Sequence, residues 1–301
     1  MLEQVKRVHM VGIGGIGMSG IAQLLHTLGY EVGGSDLVLS QSVQRLKNAG
    51  IRVCKGHDSS YLDAPDLVVV SSAVPDNNPE VVEARRRQIP ICGRGEILAE
   101  LALLKQSVAV AGSHGKTTTT SMVALLLEAA GFDPTAVIGG VVRAFGGNTR
   151  YGNGAFIVLE ADESDRSFLH LRPDIAVLTN IDDEHLDAYD GFDGLTAAFE
   201  EFANHVPNTG RVVVCVDDPI LAGIAKRLSS RALTYGTDDT VAAIRAHDIV
   251  LKSAGSSCLV TLSLGETTKV IMLRLSVPGR HNVSNAVAAI ATATCLGIDA
   301  E

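Results

Sequence analysis

The sequence predicts a two-domain α/β protein: an N-terminal Rossmann-like doubly wound parallel sheet, then a P-loop ATPase-type α/β domain with an added antiparallel β portion. Three observations carry this expectation. Short apolar runs alternate with helical periods. Glycine-rich turns stand between a strand and a helix at two places, Gly12–Gly17 and Gly112–Gly115. The strand–helix pattern then begins anew near Ser107. A chain of 301 residues also exceeds what one hydrophobic core comfortably serves.

In order, Val8–Val11 reads as a buried strand, and a helix follows the first glycine turn from Ile16 to Leu28, closed by Gly29. Glu31–Gly34 is a second strand, and Ser40 is placed to cap a helix that stops at Gly50. Arg52–Cys54, Leu67–Val70 and Ile89–Cys92 are further strands, with a helix over Glu80–Arg87 between the last two. Strand Ser107–Ala111, the second glycine turn and helix Lys116–Ala130 open the next domain. Phe156–Leu159, Ile175–Thr179, Val212–Val216 and the region of Leu233 add strands, and Glu200 lies in an intervening helix. Alternation over Ile249–Ser276, with Gly255 and Gly265 as turns, marks the antiparallel portion, and a last helix follows Pro278-Gly279. The expected domains are 1–105 and 106–301.

Composition excludes several classes. Hydrophobic residues at 46% and charged residues at 20% are ordinary for a globular protein. A net charge of −9 argues against a general nucleic-acid binder. No apolar stretch has membrane-spanning length. The five cysteines are odd in number and form no C-x-x-C pair, which fits reduced thiols and a cytoplasmic location rather than a disulfide framework.

Gly12-Ile13-Gly14-Gly15-Ile16-Gly17 matches the dinucleotide fingerprint, with Asp36 at the end of the second strand. Glycines let backbone approach a diphosphate at a helix N-terminus, and the carboxylate can accept from a ribose diol. The motif does not separate NAD from another diphosphate ligand, and a ligand-free tight turn is the bland alternative. The second turn is more specific. In Gly112-Ser113-His114-Gly115-Lys116-Thr117-Thr118 the Gly-Lys-Thr core of a P-loop is intact, although Val110 stands where the strict pattern has glycine. Lys116 can reach β- and γ-phosphates, and the Thr117 hydroxyl can ligate Mg²⁺. Acidic clusters follow two neighbouring strands, Glu160–Asp165 and Asp182–Asp187, the latter with Asn180 and His185. Beside a P-loop they suggest one or two Mg²⁺ ions; alone, each would read as a solvated loop.

Together these residues resemble the Mur ligase family over essentially the whole sequence. The segment Gly12–Gly20 is similar to the opening of the L-alanine-adding branch, whose first domain binds a UDP-sugar. The family P-loop likewise lacks the outer glycine. Glu160–Asp165 and Thr179–Asp187 resemble its metal-binding segments, with Glu184 where Asp is usual, and His281-Asn282-x-x-Asn285 resembles its nucleoside-contacting segment. The resemblance implies UDP-N-acetylmuramate at Gly14, Gly15, Gly17, Met18, Asp36 and His57. It implies ATP at Gly112–Thr118, Asn180, His281, Asn282 and Asn285. It implies Mg²⁺ at Thr117, Glu160 and His185, with Lys116, Glu160 and His185 as the catalytic set.

The implied chemistry is acyl-phosphate formation, followed by attack of L-alanine. The family's modified lysine has no match near Phe199–Phe202, where Glu200 and Glu201 stand. No match to the family's third, amino-acid-binding domain precedes Glu301, so the chain is expected to be a truncated form, inactive in ligation alone. A muramyl-tripeptide-recycling ligase, an NAD-dependent oxidoreductase and a non-catalytic sugar-nucleotide-binding module are the rivals.

Overall fold

The computed structural model describes residues 2–237 and 241–298. It divides into two compact units: Met1–Leu104 with Thr135–Gly152, and Lys105–Pro134 with Asn153–Glu301.

The first unit is built on a five-stranded sheet of order β3-β2-β1-β4-β5. Its strands are β1 (Arg7–Val11), β2 (Glu31–Asp36), β3 (Arg52–Lys55), β4 (Leu67–Val70) and β5 (Ile91–Gly93). All neighbouring pairs are parallel. The chain returns to the other side of β1 after β3, so a crevice opens at the carboxyl end of β1, where ligands bind in such sheets. The glycine turn leads from that strand end into α1 (Ile16–Thr27). Helix α2 (Gln41–Asn48) begins where Ser40 Oγ accepts from Val43 N, and α3 (Pro79–Arg86) begins at an Asn78 cap with proline in its first turn. β5 starts two residues later than the apolar pattern suggested, because Gln88 turns with φ +56° and Pro90 intervenes.

Helix α4 (Arg94–Ala102) has no counterpart in the sequence reading. Its N-cap is Gly93, so the usual Ser, Thr, Asp or Asn start signal is missing; the Glu96 carboxylate accepts the Gly93 N–H at 2.7 Å instead. The hairpin β7 (Thr135–Val142) and β8 (Gly147–Arg150) also escaped that reading. By its contacts it groups with the first unit, although residues 135–152 lie within the expected span 106–301. The physical reason is that the hairpin packs on α1, where Asn148 Nδ2 donates to the Ile16 carbonyl at 2.6 Å.

In the second unit, β9 (Phe156–Glu160), β6 (Gln106–Ala111), β10 (Ile175–Leu178), β11 (Arg211–Cys215) and β12 (Ala232–Thr237) lie side by side and parallel. They continue into β13 (Ile244–Lys252), β14 (Gly255–Leu264) and β15 (Thr267–Leu275), the last two paired antiparallel to their predecessors. β13 begins earlier than the alternation suggested: Asp248 at φ +52° sits in a bulge that breaks the two-residue period. Helices α5 (Lys116–Ala129), α6 (Gly191–Asn204), α7 (Pro219–Leu228) and α8 (Arg280–Cys295) complete the unit, and α8, rich in buried small residues such as Ala286, Ala289 and Ala293, packs along α5. None of the described helices is long and apolar enough to cross a membrane.

Candidate functional site

In the first unit the glycine turn is tied down by its neighbour strand. The Ser35 carbonyl accepts from both Gly12 N and Ile13 N, at 2.9 and 3.1 Å. Asp36 Oδ2 accepts from Gly14 N at 2.8 Å, and its Oδ1 accepts from Val38 N at 2.9 Å. The carboxylate therefore shapes the loop, whatever else it binds. Met18 is buried, so its side chain does not face a ligand. Arg94, which the sequence reading did not single out, lies on the loop: a Cβ at Gly17 would stand 3.1 Å from its Nη1. Its only sequence signal is the first position of an unannounced helix.

Beneath the loop lies a buried polar group. Glu80 is fully buried and accepts from His9 Nε2 at 2.5 Å, from His57 Nδ1 at 2.8 Å and from Ser35 Oγ at 2.7 Å. Burial works to raise its carboxyl pKa, but the bonds from His9, Ser35 and His57 outweigh it and hold the group below the usual carboxylate value. His57 is thus engaged on the loop's support.

The second turn is held against the segment that follows β10. Val110 pairs with Glu160 and Ala111 with Leu178, so β6 delivers the loop between two strand ends. His114 N donates to Asn180 Oδ1 at 2.8 Å, Asn180 Nδ2 returns to His114 O at 3.0 Å, and Thr179 Oγ1 donates to the same carbonyl at 2.7 Å. Gly112 has φ +146°, and a Cβ there would lie 1.9 Å from Thr179 Oγ1; only glycine fits. Gly115, in left-handed conformation, leads into α5, whose first N–H groups have no intrahelical acceptor.

Thr117 Oγ1 donates to Glu160 Oε2 at 2.9 Å, so these two expected metal ligands meet. His185 does not join them. It is exposed, in left-handed backbone at φ +57°, and its ring has no polar partner among the described residues. His114 points instead at Asp182 and Glu184, at 3.3 and 3.7 Å. Among the described residues no group of three His, Cys, Asp or Glu side chains is placed to hold a metal ion. A hydroxyl and one carboxylate still suit Mg²⁺, which usually keeps waters and takes one or two carboxylates plus substrate phosphates. Glu200 is bidentate to Arg227, and Glu201 faces His205 at 3.7 Å; neither meets Thr117 or Glu160.

On α8, Asn285 is buried and its Oδ1 accepts from Thr119 Oγ1 at 3.2 Å, bracing the loop helix. Asn282 Nδ2 donates to Pro278 O at 2.7 Å, and His281 is exposed. Two side chains outside the expected set shape this site. Glu163 takes Lys116 Nζ at 2.7 Å; burial pushes its carboxyl up, with the Lys116 bond opposing. Asp218 caps α7 and also accepts Ile181 N at 2.8 Å, fixing the segment after β10. Its signal was legible as Asp-Pro at a helix start.

A parallel sheet with a Gly-Lys-Thr loop at a central strand end, backed by a carboxylate on the adjacent strand, defines a phosphate-loop nucleotide-binding protein. The chain belongs to the Mur ligase family. Residues 7–106 match the model "Mur ligase family, catalytic domain", and residues 110–293 match "Mur ligase middle domain". It is 48% identical over 305 residues to a UDP-N-acetylmuramate–L-alanine ligase of Sinorhizobium fredii, covering 100% of this chain and 65% of that protein. It is 50% identical over 292 residues to one from Chromobacterium violaceum, covering 97% and 62%. The chain thus spans about 65% of the length of such relatives. Among solved structures, the UDP-N-acetylmuramate–alanine ligase of Thermotoga maritima matches with TM-score 0.85 and 32% identity, covering 97% of this chain and 66% of that one. A UDP-N-acetylmuramate:L-alanyl-γ-D-glutamyl-meso-diaminopimelate ligase from Neisseria meningitides matches with TM-score 0.86 and 30% identity, covering 98% and 95%.

Proposed function

We propose that this chain carries the UDP-sugar-binding and Mg-ATP-binding parts of a ligase that joins L-alanine to the carboxylate of UDP-N-acetylmuramate, in the synthesis of peptidoglycan precursors in the cytoplasm. The observation that carries the reading is the P-loop with Thr117 and Glu160 in contact across two strands. Relatives named for the L-alanine reaction at 48% and 50% identity favour that branch. The likeness to the diaminopimelate-peptide ligase keeps tripeptide recycling as a second reading.

In the proposed reaction the muramyl carboxylate oxygen bonds to the γ-phosphorus as the bond to the ADP oxygen breaks. The amine of L-alanine then forms the amide, losing a proton, and inorganic phosphate leaves. Two anions must approach, so positive charge has to be fixed in place beforehand. Lys116 supplies an ammonium to the phosphate chain, and the N–H groups of the α5 first turn orient its oxygens. Thr117 and Glu160 would hold Mg²⁺, which neutralises developing charge when bound, and His185 is proposed as a further ligand. Its left-handed backbone is the kind of local strain found at functional sites. Gly112–Thr118 and Asn180 form the cradle, Asn285 braces it, and His281 and Asn282 would flank the nucleoside.

In the first unit Gly14, Gly15, Gly17 and the Met18 backbone would meet the diphosphate, with Asp36 and His57 toward the uridine. Arg94 would add a cation to that diphosphate. Arg94→Ala is expected to weaken UDP-N-acetylmuramate binding by about tenfold to a hundredfold, the worth of one charge-assisted bond. Calorimetry reads this directly, and an unchanged affinity removes Arg94 from the site. Asp36→Ala is expected to weaken the same ligand, because Gly14 N–H loses its acceptor. For the second unit, Lys116→Ala is expected to lower Mg-ATP affinity by a similar factor; equal binding by variant and parent would refute the ATP assignment.

A further inference from the structure

Glu163 occupies a position that the proposed reaction leaves unused. It follows β9 by three residues and is 1% exposed. Its Oε1 accepts from Lys116 Nζ at 2.7 Å, while Oε2 is buried without a hydrogen-bond partner. The backbone carbonyl of Glu163 accepts from the hydroxyl of Tyr189, itself buried, which pins the residue in place. Lys116 Nζ gives its other protons to the loop's own carbonyls, Gly112 O at 2.6 Å and Ser113 O at 3.2 Å.

An ammonium has three donors, and here all three are consumed inside the protein. A polyphosphate needs that same ammonium. It can have it only by displacing an acceptor, and the acceptor that a phosphate resembles most is the carboxylate. The two anions also repel each other, so both cannot sit on Lys116 at full strength.

We propose that Glu163 is a latch on the phosphate loop. It holds Lys116 in a self-bonded arrangement, and a polyphosphate chain binds by taking the ammonium from it. Glu163 acts through Lys116 and is a positioning residue rather than a catalytic one. The inference rests on the reading of this loop as an ATP site.

The latch has an unusual consequence: removing a buried carboxylate bonded to Lys116 should improve ligand binding. Glu163→Gln keeps an oxygen for the Lys116 ammonium but removes the carboxylate charge, so the ion pair is lost and a weaker bond to a neutral amide remains. Inorganic tripolyphosphate without added metal, and Mg-ATP, are expected to bind about threefold to tenfold more tightly. Adenosine, which has no phosphate, is expected to stay within twofold. Glu163→Met, which keeps the length without an acceptor, is expected to shift affinity in the same direction and serves if the glutamine variant does not fold. Glu266→Gln removes an exposed carboxylate in the turn between β14 and β15 and controls for bulk charge; its effect is expected to stay within twofold.

Calorimetric titration of the parent and the variants, with thermal melting to confirm folding, decides the matter. Tighter polyphosphate binding confined to the Glu163 variants supports the latch. Unchanged or weaker binding overturns it, as does an equal gain in Glu266→Gln. A parent chain that binds neither tripolyphosphate nor Mg-ATP defeats the ATP reading itself, and the latch with it.

Discussion

Replacing Glu80 with alanine is expected to cost about 3–5 kcal/mol of folding stability, the usual penalty for removing one partner of a buried ionic group. Glu80 is fully buried and accepts from His9, His57 and Ser35. Without it His9 loses its acceptor, and Ser35 and His57 keep only their mutual bond at 2.9 Å. The damage should reach the ligand loop, because Ser35, which donates to Glu80, also accepts from Gly12 and Ile13 through its carbonyl. Weaker UDP-sugar binding is therefore expected together with the stability loss. Urea unfolding of parent and variant measures it, provided the denaturant slope is unchanged. A loss below about 1 kcal/mol, the scale of an ordinary hydrogen bond, would contradict this view of the network.

The same group gives a pH dependence whose sign is fixed. The folded carboxyl of Glu80 lies below its ordinary value of 4.5. A depressed carboxylate contributes stability that is fully present above the unfolded value and lost as pH falls through the folded one. The part of the stability gap between parent and Glu80→Ala that comes from Glu80's own ionisation should thus narrow as the solution is made more acidic than pH 4.5. A gap that widened on acidification would contradict the assignment.

Gly112→Ala is the second large effect. The new Cβ would stand 1.9 Å from Thr179 Oγ1, at a backbone φ of +146° that side chains rarely adopt. Backbone strain alone is worth about 1–3 kcal/mol, and the clash adds to it. The loop can relieve it only by moving away from Thr179 and Asn180, which hold the His114 carbonyl. Loss of measurable Mg-ATP binding is expected, with a folded first unit by its own UDP-sugar titration. Parent-like Mg-ATP binding would show that the cradle is not the ATP site.

Much of this was legible in the sequence because local signals and chemistry coincide. The glycine turns, the Gly-Lys-Thr core and the acidic strand ends each require special residues at fixed spacings. Ser40, Asp36 and Glu160 sit where caps and strand ends place them. Other features depend on tertiary packing and leave no local trace. Helix α4 starts at a glycine cap, so its start signal is silent. The 135–150 hairpin belongs with α1 through Asn148, a contact across more than a hundred residues that no period reveals. The Glu80 network joins positions 9, 35, 57 and 80, each unremarkable alone. Glu163 was visible within an acidic cluster, but its bond to Lys116 rather than to solvent is a fact of burial. His185 shows the converse: its motif is clear, yet no side-chain contact ties it to Thr117 and Glu160.

The most direct test is one set of calorimetric titrations of this chain with UDP-N-acetylmuramate, Mg-ATP and NAD. The account predicts saturable binding of the UDP-sugar, weakened by Asp36→Ala and Arg94→Ala, together with Mg-ATP binding weakened by Lys116→Ala and no NAD binding. Tight NAD binding without a UDP-sugar signal would contradict it and return the first glycine turn to a dinucleotide-dependent enzyme.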